Sequence, residues 1–167
     1  SRLATTEFAA AYSSDLSRCL EGARILLEGH ETPLTLAPEL RELSYGVLEG
    51  RTYGEIQSDS PSLYGKIMAG DVTFAPPEGE SVEDLTRRVT ELMDRLLEAH
   101  QEDDKVLVVA HGGTIRAILV SLLGLPLGLF WRFRIANSSL SIVSHYQDGA
   151  TLDLWNDTGH LRNTNGE

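Results

Sequence analysis

Val106-Leu107-Val108-Val109-Ala110-His111-Gly112-Gly113-Thr114-Ile115-Arg116 is the stretch from which the fold can be read. It opens with an unbroken apolar run rich in β-branched residues, which reads as a strand buried on both faces of a parallel sheet. The run stops at a histidine and two glycines, and a threonine leads into a new apolar pattern. That order spells strand, tight turn and helix start. Ligands of open α/β sheets bind just beyond the carboxyl ends of the strands. His111 falls at that place, beside backbone N–H groups of a helix N-terminus, which favour an anion such as phosphate. Taken alone, the stretch leaves two readings open: a site histidine, or a polar residue that ends a strand before an ordinary turn.

The flanking chain alternates between strand and helix patterns. Phe8 to Tyr12 reads as a short buried strand. Ser13-Ser14-Asp15 offers N-cap chemistry for a helix running to about Gly29, with Leu16, Leu20, Ala23 and Leu27 on one face. Arg18 falls in the first turn of that helix, where a cation opposes the helix dipole. A solvated arginine would explain it equally well. Pro33 to Leu36 is a second strand. Glu39 to Gly50 has neither helical nor strand period, and loops of this texture often carry function; Glu42 and Glu49 are its candidate acids. Helical pieces follow from Thr52 to about Gln57 and, after Ser60-Pro61, to Met68. Ala69 to Glu80, with two glycines and two prolines, is a loop. Ser81-Val82-Glu83-Asp84 resembles a capping box, and Val82, Leu85, Val89, Leu92 and Leu96 continue it as a helix ending near His100. Leu140 to Tyr146 and Thr151 to Trp155 are strands joined by an Asp148-Gly149 turn, and Asn163 to Glu167 reads as a frayed end. The expected class is α/β: three layers, α/β/α, with a mostly parallel sheet and a terminal antiparallel hairpin.

Composition narrows the function. A chain of 167 residues accommodates one domain with a real core. Its net charge of −11 argues against a nucleic-acid surface and requires that any phosphate site be locally basic. Cys19 is the one cysteine, so no intramolecular disulfide forms, which fits a reducing, cytoplasmic setting. No apolar run approaches membrane-spanning length. No ligand spacing asks for a metal, and no cofactor is expected.

Read together, Ser13-Ser14-Asp15-Leu16-Ser17-Arg18, Glu42 ahead of Tyr45-Gly46 and Glu49-Gly50, Gly79-Glu80-Ser81, and His111-Gly112-Gly113 resemble the histidine phosphatase superfamily, the phosphoglycerate-mutase-like proteins. The resemblance runs from about Leu3 to Gly159-His160-Leu161. It implies phosphoryl transfer through a phosphohistidine, without metal. Position by position it makes Arg18 a phosphate-binding arginine, Glu42 the acid/base, His111 the second histidine and the Gly112 N–H a further phosphate contact. Such a reaction needs positioning and charge neutralisation above all, and a guanidinium fork suits phosphate oxygens. The partner implied is a small phosphorylated metabolite, and a homodimer is the assembly allowed for.

The family's Arg-His-Gly, which carries the nucleophile on the first sheet strand, occurs nowhere in these residues. His30, His100, His145 and His160 do not replace it. The resemblance therefore implies that residues 1–167 form a single domain lacking its N-terminal part, that the first strand lies ahead of Ser1, and that this chain alone is inactive. The mutases pair adjacent arginines after the glutamate loop with a nearby lysine. Here Tyr53 stands at the lysine position, and from Arg51 to Gly79 the only arginine is Arg51 itself and the only other basic side chain is Lys66. That favours a phosphatase of the α-ribazole or broad-specificity branch. Tyr45 and Tyr53, with Leu63 and Phe74, are expected to line an apolar pocket for the alcohol part of a phosphomonoester. Phosphoglycerate-mutase-type transfer and a catalytically inactive phosphate-binding module are the alternatives. An acyl hydrolase is disfavoured, because no Gly-x-Ser-x-Gly elbow follows a strand.

Overall fold

A computed structural model describes residues 2–161; the end from Asn163 to Glu167 lies outside the described residues. In chain order the elements are β1 (Ala10–Ser13), α1 (Ser17–Leu26), β2 (Leu34–Leu36), α2 (Tyr53–Asp59), α3 (Pro61–Met68), α4 (Val82–Ala99), β3 (Val106–Val109), α5 (Gly112–Leu122), β4 (Leu140–Tyr146) and β5 (Gly149–Asp157). Short 3-10 turns occupy Pro38–Leu40, Gly46–Leu48, Leu127–Arg132 and Gly159–Leu161.

The first three strands form a parallel sheet in the order β2-β1-β3, with Ala11 opposite Leu34 on one side and Leu107 on the other. β4 and β5 form a separate antiparallel hairpin. This is the mixed α/β architecture expected, a parallel sheet with an antiparallel hairpin, and no ladder joins the two among the described residues. One correction concerns β3, which is less enclosed than its apolar run implied, for only Leu107 is buried and Val106, Val108 and Val109 are half-buried. A β-branched run reports strand preference, but burial depends on neighbours, and β3 has a strand on one side only.

Strand alternation sends Tyr12, Val108 and Ala110 toward a core made with Leu40, Leu43, Val82, Leu85, Val89, Leu92, Ala117 and Phe130. α4 and α5 pack together there. Each fully buried leucine contributes roughly 1.5–3 kcal/mol of transfer free energy. On the opposite side α1 lies against β1 and β3, with Cys19 and Ala23 buried. The capping box of α4 is present: Ser81 Oγ accepts from the Asp84 N–H, and the Asp84 carboxylate accepts from the Ser81 N–H. α2 carries a second capping box between Thr52 and Glu55.

The N-cap of α1 differs from expectation. Leu16 holds the cap position without a side-chain hydrogen bond. Ser13 belongs to the strand, and both it and Ser14 are fully buried. Asp15 turns outward to a two-pronged ion pair with Arg41, at 2.8 and 2.6 Å. Capping chemistry was available, but long-range contacts took it. Residues 2–5 form a turn closed by the Thr6 N–H, which donates to the Leu3 carbonyl at 3.0 Å.

Candidate active site

Parallel pairing brings the site residues together. Ser13 stands opposite Val109, so Ser14 and His111 leave neighbouring strand ends side by side. The chain after β2 turns through Pro38–Leu40 and delivers Glu42 to the same edge. Arg18, Glu42 and His111 thus arrive from the carboxyl ends of β1, β2 and β3, the usual ligand edge of an open parallel sheet.

His111 is 7% exposed and is the N-cap of α5. Arg18 Nε lies 3.1 Å from its Nδ1, and Ser14 Oγ lies 2.9 Å from its Nε2. A guanidinium only donates, so Nδ1 is the acceptor and Nε2 carries the proton, donated to Ser14 Oγ. The network therefore selects a neutral imidazole. Electrostatics point the same way: burial, then the Arg18 charge, hold His111 below the ordinary histidine range, and the Glu42 carboxylate opposes them. Cys19 Sγ packs 3.4 Å from Nε2, and burial raises its thiol above the usual range.

The Glu42 carboxylate is anchored at the positive end of α5. Its Oε2 accepts the Gly113 N–H at 3.1 Å and its Oε1 accepts the Leu43 N–H at 2.9 Å. Gly113 is required for this, since a Cβ there would lie 2.3 Å from Glu42 Oε1. A Cβ on Gly112 would meet Ile135 Cγ2 at 2.9 Å and come within 3.9 Å of Glu42 Oε2. Thr114 Oγ1 donates to the Arg41 carbonyl at 2.8 Å, tying the helix start to the Glu42 loop. Among the described residues no acceptor takes the Gly112 N–H.

Tyr45 and Tyr53 line one cavity of about 260 Å3, with Leu48, Glu49, Gly50, Arg51, Ile56 and Ile67. Leu63 and Phe74 do not line it; Phe74 instead carries Lys66 Nζ 5.2 Å from its ring centre. Burial, then Tyr53 and Glu42, raise the Tyr45 hydroxyl above the ordinary tyrosine value. A second cavity, about 360 Å3, borders Arg41, Glu42, Ser44, Glu80 and Arg88. His100, rejected as a nucleophile, lies 3.1 Å from the Tyr12 hydroxyl and 3.6 Å from Asp104, away from this edge.

Several parts of the site escape sequence reading. Ser14 looked like a cap. Gly113 looked like one half of a turn, although its doubling after His111 was a signal that no side chain is tolerated there. Arg88 and Glu80 were unassigned, because their partners lie far away in sequence.

The chain can now be set beside known proteins. It is 34% identical over 154 residues to the "Probable phosphoglycerate mutase GpmB" of Yersinia pestis, covering 89% of this chain and 71% of that protein. Among solved structures it resembles a mycobacterial glucosyl-3-phosphoglycerate phosphatase, with a TM-score of 0.85, 29% identity and coverage of 94% of this chain and 80% of that one. The α-ribazole phosphatase of Shigella flexneri shares the fold, with a TM-score of 0.80, 24% identity and coverage of 92% and 75%. Residues 1–158 match the sequence profile of the histidine phosphatase superfamily (branch 1), and the chain belongs to that superfamily.

Proposed function

We propose that the protein is a phosphomonoester hydrolase working through a phosphohistidine, with the nucleophilic histidine contributed from outside these 167 residues. The observation that carries the reading is the convergence of Arg18, Glu42 and His111 on one sheet edge beside the α5 N-terminus. Two further facts support an external nucleophile. The sequence has no Arg-His-Gly, and β3 and β4 each keep an edge without a strand partner among the described residues.

In this reading Arg18 shifts its donors from His111 to phosphate oxygens, and the imidazole and the Gly112 N–H add further donors. The nucleophilic nitrogen bonds to phosphorus as the P–O bond to the alcohol breaks. Glu42, protonated, gives its proton to the leaving oxygen. The resulting carboxylate then takes a proton from water as that water attacks phosphorus and the P–N bond breaks. The products are the alcohol, inorganic phosphate and the starting enzyme. The Tyr45–Tyr53 cavity takes the alcohol part. The substrate is a small phosphorylated metabolite, and the lone buried thiol suits a cytoplasmic setting. Phosphoglycerate-mutase-type transfer is the second reading, favoured by the name of the Yersinia relative. Tyr53 in place of the clamp lysine weighs against it.

The test is labelling with a 32P-phosphomonoester. The 167-residue chain should acquire no acid-labile phosphate, whereas a longer form carrying an upstream Arg-His-Gly should. Labelling of the shorter chain overturns the external nucleophile. Loss of phosphate binding by calorimetry in Arg18→Ala, about tenfold or more with an unchanged melting temperature, is the companion result. Unchanged binding removes Arg18 from the site.

A further inference from the structure

One guanidinium organises the loop that bears Glu42, from the border of the second cavity and without touching the Glu42 carboxylate. Arg88, in the second turn of α4, donates through Nη1 to the Glu39 carbonyl. Its Nη2 donates to the Arg41 carbonyl at 2.9 Å and to the Glu42 carbonyl at 3.2 Å. The same fork holds Glu80 two-pronged, with Nη2 to Oε1 at 2.6 Å and Nε to Oε2 at 3.0 Å. Glu80 Oε1 in turn accepts the Ser44 N–H at 3.1 Å. The backbone is thereby bracketed on both sides of residue 42: carbonyls at 39, 41 and 42 converge on Arg88, and the amide at 44 is held by its counter-ion.

We infer that Arg88 is a positioning residue for Glu42, acting through these carbonyls, with Glu80 completing the clamp. The carboxylate itself touches neither. What the clamp fixes is the backbone from which Glu42 reaches its 3.1 Å bond with the Gly113 N–H, and a loop shift of about 1 Å would break that bond. An ordinary ion pair between α4 and a loop would need one carboxylate partner. This one spends its remaining donors on the main-chain oxygens of residues 39, 41 and 42, around a single side chain. Lysine cannot replace it, because one ammonium lacks the planar fork that serves Glu80 and the loop together. The consequence for turnover rests on Glu42 being the acid/base; the clamp on the loop does not.

Amide hydrogen exchange by NMR on the 167-residue chain tests the clamp without needing activity. In Arg88→Met, which keeps most of the apolar stem, the Gly113 amide should exchange about ten- to hundredfold faster, the scale of a lost bond to a charged acceptor. The β1–β3 ladder amides should stay unchanged. Arg88→Lys should fall between, and Glu80→Gln should move Gly113 in the same direction by less. Unchanged Gly113 exchange in folded Arg88→Met overturns the inference, as does acceleration matched by the ladder, which would mark a merely structural arginine. If Arg88→Met does not fold, Glu80→Gln decides by the same two sets of amides. In the longer, labelling-competent form, Arg88→Met should lower kcat about tenfold or more with little change in KM, and should add nothing to Glu42→Gln. Faster Gly113 exchange together with normal turnover in Glu42→Gln would leave the clamp standing and remove the acid/base role of Glu42.

Discussion

The loop from Glu39 to Gly50 and the helical excursion from Arg51 to Gly70 are neighbours in sequence but are held in opposite ways. The first has no regular structure beyond 3-10 turns, yet it buries Leu40, Leu43 and Leu48 and is stitched by Arg88, Glu80 and Thr114. The second contains two helices, yet buries only Ile56 in α2 and nothing in α3. Tyr53 and Met68 are more than half exposed, and the two helices pack mainly on each other. Regular hydrogen bonding is therefore a poor guide to rigidity here. What holds a segment is how many of its groups find partners elsewhere in the chain. The proposed acid/base rides on the well-held piece, and half of the proposed alcohol pocket rides on the loosely held one.

The contrast can be broken most directly at Glu42. In the labelling-competent form, Glu42→Gln should lower turnover by roughly two to four orders of magnitude while leaving the fold intact. Near-normal turnover would mean that the rigid loop holds nothing the reaction uses. Gly113→Ala should cost about a hundredfold in kcat, because its methyl would occupy the place of Glu42 Oε1, 2.3 Å away, and push the carboxylate aside. If activity survives, the carboxylate has room to move and the loop is less constrained than its bonds imply. On the other side, Ile56→Ala should destabilise the excursion by roughly 2 kcal/mol. It should speed proteolysis between residues 51 and 70 with little change in the main thermal transition. A matching fall in global stability would show that the excursion and the core unfold as one.

The smallest expected effect concerns pH and His111. Its folded pKa lies below the ordinary value of 6.5, so near and below that pH the unfolded chain binds more protons than the folded one. This histidine therefore contributes a term that lowers stability as pH falls through the unfolded value and disappears at higher pH. Chemical denaturation between pH 5 and 8 should show a shallower slope in His111→Asn than in the parent. An unchanged slope would mean that His111 does not titrate differently on folding.

Much of this fold is legible in sequence where a signal is local and repeated. α4 announces itself through Val82, Leu85, Val89 and Leu92 behind a capping box, and both features are present. Arg18, Glu42 and His111 are legible through the family motifs, and parallel pairing then gathers them at one edge. What resisted reading was chemistry with two possible uses. Ser14 and Asp15 have the composition of a helix cap, but Ser14 bonds to His111, 97 residues away, and Asp15 to Arg41. Arg88 sits on a helix in a position where most arginines are solvated, and only tertiary placement of the carbonyls at 39, 41 and 42 gives it a role. The half-exposure of β3 was hidden for the same reason, since a sequence run cannot state how many strands flank it.

The two glycines at Gly46 and Gly79 carry a consequence for how this site can diversify. They pack backbone against backbone: a Cβ at residue 46 would lie 2.1 Å from the Pro77 carbonyl, and one at residue 79 would lie 2.6 Å from the Ser44 carbonyl. The two ends of the excursion are therefore fastened by main-chain contact, with the Val47 N–H on the Pro77 carbonyl at 3.0 Å. Sequence changes on the exposed faces of α2 and α3 are therefore expected to leave Glu42 in place. On the proposed function, a lineage could exchange the face that meets the alcohol while the residues that would handle phosphate stay fixed, reaching new substrates by swapping a cassette and leaving the hearth alone.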